Sequence, residues 1–160
     1  MFVLARAITY ATLFVGFLLV FLPARILDAF GLRAPAEMGL SQYAGVLLAA
    51  AGGGLALSCI LTFVVIGKGT PAPFDPPRRL VVSGPYRWVR NPMYLGAGGA
   101  LFGAALFYGA LPLAAYAALF LIAMHLFVLG YEEPTLRETF GADYETYCRR
   151  VGRWYPRHLS

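Results

Sequence analysis

The residues able to do chemistry in this chain are few and fall close together. Glu132 and Glu133 stand side by side, His125 lies seven residues earlier, and Tyr86, Arg87, Trp88 and Arg90 lead into Asn91 and Tyr94. Adjacent carboxylates at the edge of a membrane repel each other and face anionic lipid, which is costly unless a cation or a hydrogen-bond donor compensates. Seven residues are close to two helical turns, so His125 and Glu132 are expected on one face. His125 suits packing as well as it suits proton transfer. No His, Cys, Asp and Glu grouping has metal-ligand spacing, so no metal site is expected. Cys59 and Cys148 are far apart in sequence, and the tail that carries Cys148 is expected in a reducing compartment, so no disulfide is expected.

The elements that position these residues follow from composition. Of 160 residues, 59% are hydrophobic and only 13% charged, far from the roughly half apolar and quarter charged of a soluble domain. The expected class is an all-α integral membrane protein forming one domain over 1–160. Charge-free intervals mark the spans. Ala7 to Ala24 reads as a first helix ending near Pro23, and Met38 to Gly67 is long enough to cross with tilt. Asn91 to Tyr131 is about twice the length of one span, with Gly109 and Pro112 in its middle, and reads as a hairpin of two. About four transmembrane helices result, near 4–23, 40–66, 92–108 and 111–131, with a loop at 69–91 and a tail at 132–160. All Lys and Arg except Arg25 and Arg33 fall on one side of that arrangement, so both termini, the loop and the tail are expected to be cytoplasmic. A multi-pass protein of the bacterial inner membrane fits this pattern. The net charge of +5 is accounted for by topology and attraction to anionic lipid, with no nucleic acid needed.

Polar chemistry is thereby concentrated in the loop and the tail, which a compact bundle brings to one membrane face. Pro71, Pro73, Pro76 and Pro77 favour an extended path at the start of the loop. Leu80 to Val82 then reads as a short extended stretch before a turn at Ser83, Gly84 and Pro85. In the tail, Leu136, Phe140, Tyr144, Tyr147, Val151 and Trp154 recur at helical spacing. They form one apolar stripe on a C-terminal amphipathic interfacial helix, with Gly141 as its weak point.

The run from Ser83 to Gly96, with Arg90-Asn91-Pro92-Met93-Tyr94 at its centre, is followed by Glu132-Glu133-Pro134-Thr135-Leu136, Phe140-Gly141, Tyr144, Tyr147, Val151, Arg153 and Pro156. In this order the two motifs resemble the isoprenylcysteine carboxyl methyltransferase family and, in much of the same sequence, the related phospholipid methyltransferases. The resemblance covers about Pro71 to Pro156. It implies a helical membrane enzyme that binds S-adenosyl-L-methionine near the cytoplasmic face and methylates lipid-like acceptors. Carried over by position, it implies that Leu80, Val81, Tyr86, Asn91, Pro92, Met93 and Tyr94 line the cofactor pocket and that Glu132 closes it. Gly96 and Gly98 match the small glycine motif of the phospholipid methyltransferases, although close helix packing explains them equally. His125, Glu133 and Arg153 are the catalytic candidates, the first two for the proton that an amine acceptor must lose.

Two departures bear on the acceptor. Asn91 stands where the family usually has histidine, and Val128 where eukaryotic members place a substrate-contacting arginine, which argues against a prenyl-cysteine carboxylate. The expected partner is a lipophilic small molecule or membrane lipid, with no obligate protein partner. It is expected to reach the site laterally beside the third and fourth helices, its chain lying along Gly98, Gly99, Gly103 and Ala104. Two other classes stay open: a bundle that binds without turnover, and a small transporter using His125 and the acidic pair.

Overall fold

The computed structural model describes residues 16–67 and 79–157. The beginning of the first predicted helix and the Pro71 to Pro77 stretch lie outside the described residues. Long charge-free runs can satisfy their backbone groups in a bilayer only by closing them into helix. Two such runs, Leu40–Thr62 and the one beginning at Leu111, are long and apolar enough to cross a membrane, and no strand occurs among the described residues. The protein is an all-α membrane protein.

The first helix does not stop near Pro23. A π-helical segment, Gly16–Phe21, runs into α1, Leu22–Ala29, with Pro23 in the first α-helical turn. Proline has no N–H to give the preceding turn, and the Leu18 carbonyl five residues back accepts the Tyr116 hydroxyl instead, at 2.8 Å. The chain leaves the helix at Gly31 instead, whose φ of 63° is a left-handed conformation that suits glycine.

Helix α2, Leu40–Thr62, continues as a π-helical turn, Phe63–Gly67. Helix α3 is Pro92–Tyr108 and α4 is Leu111–Phe127. Gly109 ends α3 at φ 59°, and the N–H groups of Gly109 and Ala110 cap the carbonyls of Leu106 and Ala105 at 3.3 and 2.9 Å. That left-handed cap lets α4 start at once and fold back along α3. A π-helical turn, Val128–Glu132, then joins α4 to α5, Glu133–Arg150.

Helices α2 and α3 meet backbone to backbone at glycines spaced seven apart on each, Gly45 and Gly52 against Gly96 and Gly103. A Cβ at Gly52 would lie 2.5 Å from Gly96 O and Ala100 N, and one at Gly96 would lie 2.7 Å from Gly52 O. Gly98 lies under the Leu121 side chain of α4, and Gly99 lies against Gly52. Gly96 and Gly98, expected in the cofactor pocket, and Gly98, Gly99 and Gly103, expected along a lipid chain, thus lie at helix–helix contacts. Close approach of helices lacking side chains already uses that surface. On the other side of α3, Ala97 and Leu101 pack with Ala117 and Phe120 of α4, against Leu18 and Leu19.

Candidate functional site

Above the bundle, the loop and the tail build one cap. Leu80 to Val82 is irregular, and Gly84–Arg87 forms a single 3-10 turn. It opens at Gly84, φ 60°, which brings Tyr86 inward beside Phe63, their rings edge to face at 5.2 Å. After α5 the chain returns to the loop. Val89 bridges to Gly152, and the Arg90 N–H donates to Gly152 O at 2.9 Å. The Asn91 side chain donates to Arg153 O at 3.3 Å, and the Tyr147 hydroxyl donates to Tyr86 O at 2.6 Å.

The stripe predicted for the amphipathic helix faces this cap. Tyr144, Tyr147 and Val151 are buried together with Leu80, Leu136, Phe140 and Cys148 packed on them. The helix bends at Gly141, whose φ of 50° and ψ of −122° are not helical. Trp154 does not extend the stripe, because α5 has ended at Arg150; its indole N–H donates to His125 Nδ1 at 3.0 Å.

Between cap and bundle lies a cleft enclosing about 410 Å³, its open mouth included. Its apolar wall is Phe63, Leu80, Val81 and Leu136, its aromatic wall Tyr86, Tyr144 and Tyr147, and its polar side Arg90, Asn91, Glu132 and Glu133. Burial pushes the Tyr86 phenol well above its ordinary range, so it stays a neutral donor.

The two carboxylates have separate environments. Glu132 accepts a hydrogen bond from the Tyr94 hydroxyl at 2.9 Å through one oxygen. Burial raises its pKa, the Tyr94 bond opposes that, and the neighbouring Glu133 charge adds to the rise. Glu133 is only 3% exposed and is clamped by arginines. Arg153 donates to it through Nε at 2.6 Å and through NH2 at 3.0 Å, with Arg90 at 3.2 Å and Arg137 at 3.6 Å. Burial alone would raise the Glu133 pKa, but the Arg153 bond and the charges of Arg90, Arg153 and Arg137 hold it below the ordinary value. A bidentate guanidinium on a buried carboxylate is a strong, oriented pair.

These environments separate the expected site residues. Leu80, Val81, Tyr86, Asn91 and Glu132 line one cleft, and Tyr94 reaches it through Glu132. Pro92 is buried at the start of α3, and Met93 packs on Cys59, Val81 and Tyr86 behind the cleft wall. Glu133 and Arg153 satisfy each other, so the geometry makes them a clamp rather than a free base and acid. His125 does not line the cleft, and its Nδ1 is occupied by Trp154. A shared face for His125 and Glu132 assumed regular winding, whereas the i→i+5 pattern of Val128–Glu132 winds more slowly and rotates Glu132 away from that phase.

Arg90, Tyr144, Tyr147, Leu136 and Phe63 also line the cleft and were absent from the expected cofactor set. The stripe already aligned three of them, since a face recurring at helical spacing must be covered by something. Arg90 adds a further feature: its Nε is buried and has no hydrogen-bond partner among the described residues, although its NH1 serves Glu133 and the Cys148 sulfur, the latter at 2.6 Å.

The described residues thus form a helical membrane bundle with a small polar and aromatic cleft at one edge. A family model for phospholipid methyltransferase matches residues 40–143. The chain belongs to that family, which is related to the isoprenylcysteine carboxyl methyltransferases. The match contains α2, the loop, α3, α4 and the acidic pair, and stops just before Tyr144. No curated protein and no solved structure matches the chain.

Proposed function

We propose that the chain is a membrane-embedded methyltransferase that draws on S-adenosylmethionine and methylates a lipophilic acceptor. The observation that carries this reading is the buried Glu132–Tyr94 pair beside an apolar and aromatic wall in one cleft. The residues fit the cofactor. A ligand with an adenosine, a cationic amino acid and a carboxylate needs apolar surface, a buried anion and a donor, and Leu80 with Val81, Glu132, and Arg90 Nε offer these.

Bound there, S-adenosylmethionine supplies an electrophilic methyl group on a positively charged sulfur. The protein's own groups position it. Glu132 would hold the ammonium or a ribose hydroxyl, since a carboxylate retains lone pairs beyond the one that Tyr94 uses. Asn91, anchored to Arg153 O, fixes where the cap meets α3. Tyr144 and Tyr147 exclude water, and a dry, pre-aligned site is what methyl transfer most needs. Glu133 does not serve as the base, because its charge is stabilised by the arginine clamp. An acceptor that arrives as an anion, or an amine that loses its proton to water, suits this site.

A lipophilic acceptor suits a chain with so few polar residues between the cap and the opposite membrane face. Membranes carrying the protein, incubated with methyl-labelled cofactor and extracted, should yield label in the lipid fraction. A matched pair of acceptors, one with its chain and one cut to the polar head, sharpens the test. At about 0.8 kcal/mol per buried methylene, six fewer should lower efficiency by several orders of magnitude. Label found only in water-soluble products, with both acceptors equally good, would overturn the reading.

A further inference from the structure

We infer that Arg90 is the anchor for the cofactor's carboxylate, reading it through its Nε–H; this rests on the cofactor assigned above. Three observations meet at this residue. Arg90 is in the cleft wall with a side chain only 11% exposed. Its Nε–H is buried with no partner among the described residues. Its NH1 is already held by Glu133 at 3.2 Å and by the Cys148 sulfur, so the guanidinium is fixed in orientation before any ligand arrives.

A buried donor left unmade costs free energy, and an arginine held on one edge presents the other as a rigid fork suited to a carboxylate. Glu132 lines the same cleft. Of the two carboxylates that line the cleft, only Glu132 is free of arginine partners, so one available anion and the unpaired edge of Arg90 border it together, which matches a zwitterionic amino-acid end better than a neutral or purely cationic ligand. Glu133 does not compete, because Arg153 takes both its oxygens. Arg90 thus reads the ligand while it also joins the loop to the acidic clamp.

The test compares S-adenosylmethionine with its decarboxylated analogue, titrated calorimetrically into the unaltered protein in detergent. Loss of a charge-assisted hydrogen bond should weaken the analogue by about ten- to a hundredfold. Arg90→Lys keeps a cation near Glu133 but lacks the Nε–H, and should bring the two ligands to within a few-fold of each other. If that variant does not fold, arginine Nε–H resonances of the ¹⁵N-labelled unaltered protein read the same contact. One of them should shift with S-adenosylmethionine and none with the analogue. Equal binding of both ligands, or a preference that survives in Arg90→Lys, would overturn the role of Arg90 and leave the cofactor reading standing. Failure of a folded sample to bind either ligand would overturn the cofactor reading and the Arg90 role with it.

Discussion

Glu132 and Glu133 are neighbours in sequence and both border the cleft, but their partners differ. One has a single tyrosine donor and a pKa raised by burial. The other is locked by Arg153 with Arg90 and Arg137 around it, and its pKa is lowered. Successive helical residues are about 100° apart, since a turn takes 3.6 residues, so adjacency on a helix separates roles. An acidic pair at a membrane edge therefore need not share one environment: Glu133 is held among arginines, and Glu132 keeps lone pairs beyond the one that Tyr94 uses.

The largest effect that can break this division is on the clamp side. Glu133→Ala leaves Arg90, Arg137 and Arg153 facing a site without its anion, and removing one member of a buried ion pair costs about 3 to 5 kcal/mol. Thermal unfolding in detergent should show a large loss, and ligand binding should fail because the cap no longer seats. A variant as stable as the parent would end the assignment of Glu133 to structure.

Glu132→Gln should do the reverse. The raised pKa means that the folded protein carries this charge at a cost, so the neutral amide should leave stability unchanged or slightly improved. Affinity for S-adenosylmethionine should fall about 10- to 150-fold, the value of roughly 1.5 to 3 kcal/mol for a hydrogen bond to a charged group. A marked loss of stability with affinity intact would exchange the two roles.

Acidification should separate the regions without mutation. Glu132 titrates above its usual value of 4.5, so cofactor affinity should decline as pH falls through that raised value, where protonation removes the partner of a cation. Glu133 titrates below 4.5. Its contribution to stability is complete above 4.5 and is lost as pH falls from there through the lowered value. Binding should therefore fade at a higher pH than the fold does, and Glu132→Gln should flatten the binding profile alone. Coincident loss of binding and folding would merge the two regions.

The smallest effect is expected for Tyr94→Phe. It removes one neutral donor from Glu132, worth about 0.5 to 1.5 kcal/mol, so binding should weaken by a few-fold to about tenfold with little change in unfolding temperature. No change in binding would place Tyr94 outside the site's support.

Much of this arrangement was legible in the sequence. Charge-free intervals placed α2, α3 and α4, because only helix satisfies the backbone in a bilayer, and Gly109 marked the turn between α3 and α4. The recurrence of Leu136, Tyr144 and Tyr147 gave the face of α5, though not what covers it. Pro23 misled because a proline need not end a helix where another donor serves the carbonyl it leaves open, as the Tyr116 hydroxyl does for Leu18. His125 misled because the π-helical turn at Val128–Glu132 changes the phase, and no spacing rule reveals an i→i+5 segment beforehand. Gly96 and Gly98 were ambiguous for a physical reason: a residue without a side chain admits a ligand or another helix equally, and only the position of Gly52 and Leu121 decides.

We propose that Glu132, and not Glu133, is the acidic group of the cofactor site. Calorimetric titration of S-adenosylmethionine into the detergent-solubilised protein and into Glu132→Gln, each first shown to be folded by its unfolding transition, tests it most directly. The account predicts one-to-one binding by the parent and a loss of at least tenfold in the variant at equal stability. A folded parent that binds no cofactor, or a variant that binds it as tightly as the parent, would contradict it.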